Sequence, residues 1–173
     1  MGADVVKAAL LLAFACVVQV SVLSAIEVAD ATPDLVLVLL VSIGLLRGPL
    51  LGAAAGFWAG LVLDTASLET LGLTSLLLTL AGYWAGRFGD ATTRSSSQPP
   101  LVAVALITIA VTLGGALVHF LLGETVSLSR VLVDVLLPAL ALNLLITIPV
   151  YRLARRLFRP QAPRRRPEVT AAV

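Results

Sequence analysis

The sequence predicts an all-α protein, an integral membrane bundle of about six transmembrane helices. Three observations predict it: an apolar composition, apolar runs of near-spanning length, and a one-sided placement of basic residues. Of 173 residues, 59% are apolar and 13% charged, and the mean hydropathy is +1.04. A soluble domain is about 45–50% apolar and about 25% charged, so a water-soluble globular fold is excluded. Disorder is excluded too, because it needs low hydrophobicity and high net charge. At about 20 residues per span, the chain has no room for a separate soluble domain.

The elements follow in order. Residues 8–26 are free of charge and read as helix 1. An A-x-A-like triplet, Ala29-Asp30-Ala31, follows, but the run exceeds the roughly 7–15 apolar residues of a signal-peptide core. Glu27, Asp30 and Asp34 form an acidic link, and Pro33 marks the next start,. Residues 35–46 and 50–63 are apolar on either side of Arg47-Gly48-Pro49. Each piece is short for a span, so a re-entrant hairpin stands beside two crossing helices. Residues 71–86 form a further apolar run, and the polar segment 87–100 reads as an exposed loop,. Residues 101–122 and 131–150 complete the count. The expected organisation is a six-helix transmembrane domain over 1–158 and a basic, disordered cytoplasmic tail over 159–173.

Charge placement tests that count. With the amino terminus inside, the inner segments hold Lys7, Arg47, Arg87, Arg94 and the seven basic residues after Val150. That is eleven of the twelve, with Arg130 alone outside, as the positive-inside rule requires. The first two outer links carry Glu27, Asp30, Asp34, Asp64 and Glu69 and no basic residue. Fusing helices 2 and 3 would put Arg47 at mid-membrane, at about 2.5–3.5 kcal/mol on insertion scales.

Glycine supplies the clearest pattern. Gly44, Gly48, Gly52, Gly56 and Gly60 fall every fourth residue, and Gly82 and Gly86 repeat the spacing. Four residues advance a helix by about 400°, so Gly52, Gly56 and Gly60 make one narrow stripe that lets another backbone come close. The stripe serves either packing within the chain or a second protein. Asp64 extends it by one step and is either a water-exposed cap or a carboxylate inside the bundle. Asp134 and Asn143 lie nine residues apart on helix 6, about 2.5 turns, on roughly opposite sides. Asp134 has Arg130 four residues before it as an ion-pair partner.

No catalytic set is expected, because no P-loop, G-x-S-x-G or H-E-x-x-H pattern occurs,. His119 has no neighbouring ligand spacing, and the lone Cys16 sits in an apolar run, so no metal or other cofactor is expected. The arginine-rich tail reads as a topology determinant attracted to anionic lipid. It lacks interleaved aromatics, so nucleic acid is not an expected partner.

Gln19 in helix 1, Pro33-Asp34-Leu35, then Gly52-x-x-x-Gly56-Phe57-x-x-Gly60-Leu61-x-x-Asp64, Leu71-Gly72 and Gly82-Tyr83 together resemble the rod shape-determining protein MreD family, over residues 5–158. Gly52 to Gly72 is the most specific part. The helices are richer in alanine and valine, and poorer in aromatics, than in many members.

The resemblance implies a multi-pass inner-membrane protein of the wall-elongation machinery that binds MreC, a single-span protein with an extracytoplasmic coiled coil. Through MreC it implies a link to the RodA glycosyltransferase, a class B penicillin-binding protein and MreB. It also implies a fold like the S-components of energy-coupling-factor transporters. The expected function is therefore a non-enzymatic scaffold for peptidoglycan synthesis and rod shape. Its packing or partner residues are Gly52, Gly56, Phe57, Gly60, Asp64, Gly82 and Gly86, with Asp34 and Asp134 as candidate functional polar groups. The alternative is a small-molecule-binding S-component, for which Asp34, Asp64, His119 and Asn143 are the sparse polar candidates.

Overall fold

The computed structural model describes residues 2–21, 32–67, 72–92, 99–123 and 127–158. They form α1 (Gly2–Ser21), α2 (Leu35–Arg47), α3 (Pro49–Ser67), α4 (Leu73–Thr92) and α5 (Pro99–Leu121). The last helix, α6, runs without a break through Leu128–Arg130, wide π turns over Val131–Leu136, and Leu137–Leu157. Among the described residues there is no strand.

Helix α2 is the axis of the bundle. Its sequence, LVLVLLVSIGLLR, is apolar all round, and a helix of that kind is stable only when covered on every side. Every residue from Val36 to Gly44 is buried, and the other five helices all pack on α2. Ser42 satisfies its hydroxyl by donating to the Val38 carbonyl at 2.7 Å. With 13 residues, α2 is about 20 Å long, short of the ~30 Å hydrocarbon layer. Its flanks meet protein rather than lipid, so the short length leaves no polar backbone facing hydrocarbon.

The chain reverses at Gly48, whose φ of +89° is a conformation suited to glycine. Pro49 then opens α3, where a missing N–H costs nothing,. The Arg47 guanidinium lies 5.7 Å from the centroid of the Phe158 ring, joining the ends of α2 and α6. Gly48 also faces the Asp90 side chain of α4, so Arg47, Asp90 and Phe158 mark one end of the bundle.

The outer surface is apolar: Leu50 is 81% exposed and Leu145 74%, alongside Phe14, Trp58, Trp84 and Phe120. Large apolar groups exposed on many helices at once fit a lipid solvent. Three helices, spanning Pro49–Ser67, Pro100–Leu121 and Val131–Leu157, are long and apolar enough to cross a membrane, and Val5–Ser21 and Leu35–Arg47 are shorter apolar helices.

The structure departs from the expected boundaries in one informative place. Residues 87–92, read as loop, continue α4. Arg87 and Asp90 are exposed, while Gly89 is buried and a Cβ there would lie 2.7 Å from the Leu45 carbonyl oxygen. One face of this turn is polar because it leaves the bundle, not because the helix stops. The expected disordered tail, 159–173, lies outside the described residues, as do Glu27, Asp30 and Glu69.

Candidate functional site

The glycines build a seam between α3 and α4, the most extensive helix pair in the bundle. A Cβ on Gly52 would meet the Gly82 carbonyl, one on Gly56 the Leu78 carbonyl, and one on Gly60 the Ser75 backbone. Gly44 of α2 packs on Gly82, Ala85 and Gly86, and Gly86 packs on Gly48 and Pro49. The five-glycine spacing is thus split by the Gly48 turn, and both halves close on α4. The Ser75 hydroxyl crosses the seam to donate to the Phe57 carbonyl at 3.0 Å. Gly52, Gly56, Gly60, Gly82 and Gly86 are all buried, so this face is consumed within the chain. Phe57 points the other way and is 53% exposed. It shares the outer surface with Trp58, Tyr83 and Trp84, the last two meeting edge to face at 6.0 Å.

Asp64 closes the seam. Its carboxylate accepts from the backbone N–H groups of Gly72 (2.8 Å), Thr74 (3.1 Å) and Ser75 (3.2 Å). These are donors that the start of α4 cannot satisfy internally. Gly72, with φ +96°, turns the chain so that the three converge. The residue is a cap, but not one open to water: it is 1% exposed.

A second polar cluster joins four helices. Gln19 of α1 donates its amide to Asp34 Oδ1 at 3.1 Å and accepts from Val36 N at 2.9 Å. Asp34 caps α2 by accepting from Leu37 N at 2.9 Å. The Asp34 N–H donates to Asn143 Oδ1 of α6 at 2.8 Å. Asn143 Nδ2 donates to Thr108 Oγ1 of α5 at 3.2 Å, and Thr147 donates to the Asn143 carbonyl. The sequence reading named Asp34 and Asn143 separately and did not join them, and it passed over Thr108. The available signal was that Asn143 is the chain's single asparagine, set in an otherwise apolar helix.

Asp134 is exposed on the π turns, away from Asn143, which is 1% exposed. Asp134 and Arg130 make no ion pair in the structure; both side chains point out where the wide turns begin. Cys16 is buried, its thiol 3.8 Å from the Ala59 carbonyl. Among the described residues, no group of three His, Cys, Asp or Glu side chains is placed to hold a metal.

Buried glycines that close helix pairs, buried polar groups that cap and cross-link helices, and an apolar outer surface define a helical membrane protein built around packing. The sequence model of the rod shape-determining protein MreD family matches residues 4–160, nearly the whole chain, and the chain belongs to that family. It is a family of structural, shape-determining membrane proteins, and membership gives this chain a role in rod shape determination. No curated protein and no solved structure matches the chain.

Proposed function

We propose that this protein is a non-enzymatic membrane scaffold of the wall-elongation complex that binds an MreC-like single-span partner. Through that partner it connects to RodA, a class B penicillin-binding protein and MreB. The observation that carries the reading is the family match over residues 4–160. The packing supports it: the glycine seam is filled by the chain's own helices, and Asp64 and Asn143 serve as a cap and a cross-link. In this reading the partner meets exposed aromatic side chains of α3 and α4, among Phe57, Trp58, Tyr83 and Trp84, rather than the glycine stripe. A standard interface needs about 800 Å² per partner, which short links cannot provide and a helix face can. In this reading both termini are cytoplasmic, residues 1–158 form the transmembrane domain, and 159–173 form a basic tail at the anionic leaflet.

The test is co-purification from native membranes. The tagged chain should carry the MreC-like protein with it. The Trp58→Ala/Trp84→Ala variant should insert and fold normally yet retain less of it. Association with transporter ATPases, with MreC left behind, would overturn the scaffold reading.

A further inference from the structure

A half-open cavity of about 210 Å³ lies where α1, α2, α5 and α6 meet. Its polar wall includes Asp34, Thr32, Thr108 and Thr112, and its apolar wall includes Leu37 and Val111. We propose that it binds a primary ammonium group carried on a short alkyl chain, with the Asp34 carboxylate as counter-ion.

Asp34 Oδ1 already accepts from Gln19 and Leu37, while Oδ2 has no hydrogen-bond partner among the described residues. Among the described residues no lysine or arginine lines the cavity, so the carboxylate has no cation beside it, and a cationic guest compensates it. An anionic guest is disfavoured because the positive end of α2 is already taken by Asp34 itself.

The choice among cations follows from the walls. A quaternary ammonium is held by aromatic faces, and among the described residues the lining contains none. Ca²⁺ wants six to eight oxygens at about 2.3–2.6 Å; one carboxylate in a space of some 210 Å³ is a poor match. A primary ammonium has three N–H donors, which suit Asp34 Oδ2 and the hydroxyls of Thr32 and Thr112 along the same wall. Leu37 and Val111 then accommodate the alkyl part. The volume is about seven waters at ~30 Å³ each and below the roughly 300–1,000 Å³ of drug-sized pockets, so the guest is small. An ethanolamine headgroup and a free short amine share this chemistry.

The experiment uses the full chain purified in detergent, with thermal unfolding as readout. Ethanolamine should raise the unfolding temperature with saturation, whereas choline, ethylene glycol and sodium chloride at matched ionic strength should not. Asp34→Asn keeps a good helix cap and should weaken the ethanolamine effect at least tenfold. The Thr112 hydroxyl makes no hydrogen bond among the described residues, so Thr112→Val should weaken it several-fold while the bundle still folds, which separates loss of binding from loss of folding. After reconstitution, retention of phosphatidylethanolamine over phosphatidylcholine by the wild type but not by Asp34→Asn identifies the headgroup as the source. An ethanolamine shift without selective lipid retention identifies a free amine. Equal shifts with choline, glycol or sodium, or an undiminished ethanolamine shift in Asp34→Asn, overturns the proposal.

Discussion

Gly52 and Gly82 face each other so closely that a Cβ added to either would fall on the carbonyl of the other. Neither backbone can yield without opening the seam, because Gly56 and Gly60 hold the same two helices against Leu78 and Ser75. Gly56→Leu should therefore destabilise the bundle by about 1–3 kcal/mol through overpacking. Ala54→Leu, at an exposed position of the same helix, should stay within about 0.5 kcal/mol of the parent. Unfolding of the detergent-extracted proteins checks this. Equal losses in both variants would show that the stripe has no special role.

Asp64 concentrates three backbone bonds on one buried carboxylate. Asp64→Ala should cost about 1–3 kcal/mol, since it strands N–H groups of the α4 start. Asp64→Asn keeps one acceptor oxygen and should cost roughly half of that. Amide hydrogen exchange at residues 72–75 should accelerate in both, more in the alanine variant, before global stability changes much elsewhere.

Local pattern made the glycine stripe legible, since a four-residue spacing on a helix is a geometric statement. The turn at Gly48 was legible for a similar reason: Arg47-Gly48-Pro49 joins a charge, a residue free to take positive φ, and a helix starter. The burial of Asp64 was not, because its partners are backbone N–H groups beyond a turn, which carry no side-chain signature. The Asp34–Asn143 bond crosses 109 residues, and periodicity within one helix says nothing about which helix lies beside it. The far end of α4 is not legible, because Arg87 and Asp90 look like loop residues and only the packing of Gly89 on Leu45 carries the helix past them.

Asn143 and Thr108 tie α6 to α5, and Asn143 also ties α6 to the start of α2. Asn143→Leu should cost about 1–3 kcal/mol, because it removes the acceptor of the Asp34 N–H. Thr108→Val alone should cost less, and the two together less than their sum, with a coupling of about 0.5–3 kcal/mol for residues in one network. A double-mutant cycle on unfolding free energies measures it. Strict additivity would mean that the 3.2 Å Asn143–Thr108 contact carries no energy.

Arg47 and Phe158 meet at 5.7 Å, so the α2–α3 turn and the end of α6 share one end. Arg87 lies in the C-terminal part of α4, and Arg152, Arg155 and Arg156 lie in that of α6, which concentrates positive charge there. Asp34 and Asp64, by contrast, lie at the start of α2 and near the close of α3, toward the opposite end. Positive charge is retained on the cytoplasmic side. Reporter fusions after Arg47 and after Phe158 should therefore both report cytoplasm, and a fusion after Ser67 should report the outside. If fusions after Arg47 and Ser67 report the same side, α3 does not cross. Replacing Arg152, Arg155 and Arg156 by glutamine should weaken the bias without inverting it, because Lys7, Arg47 and Arg87 remain.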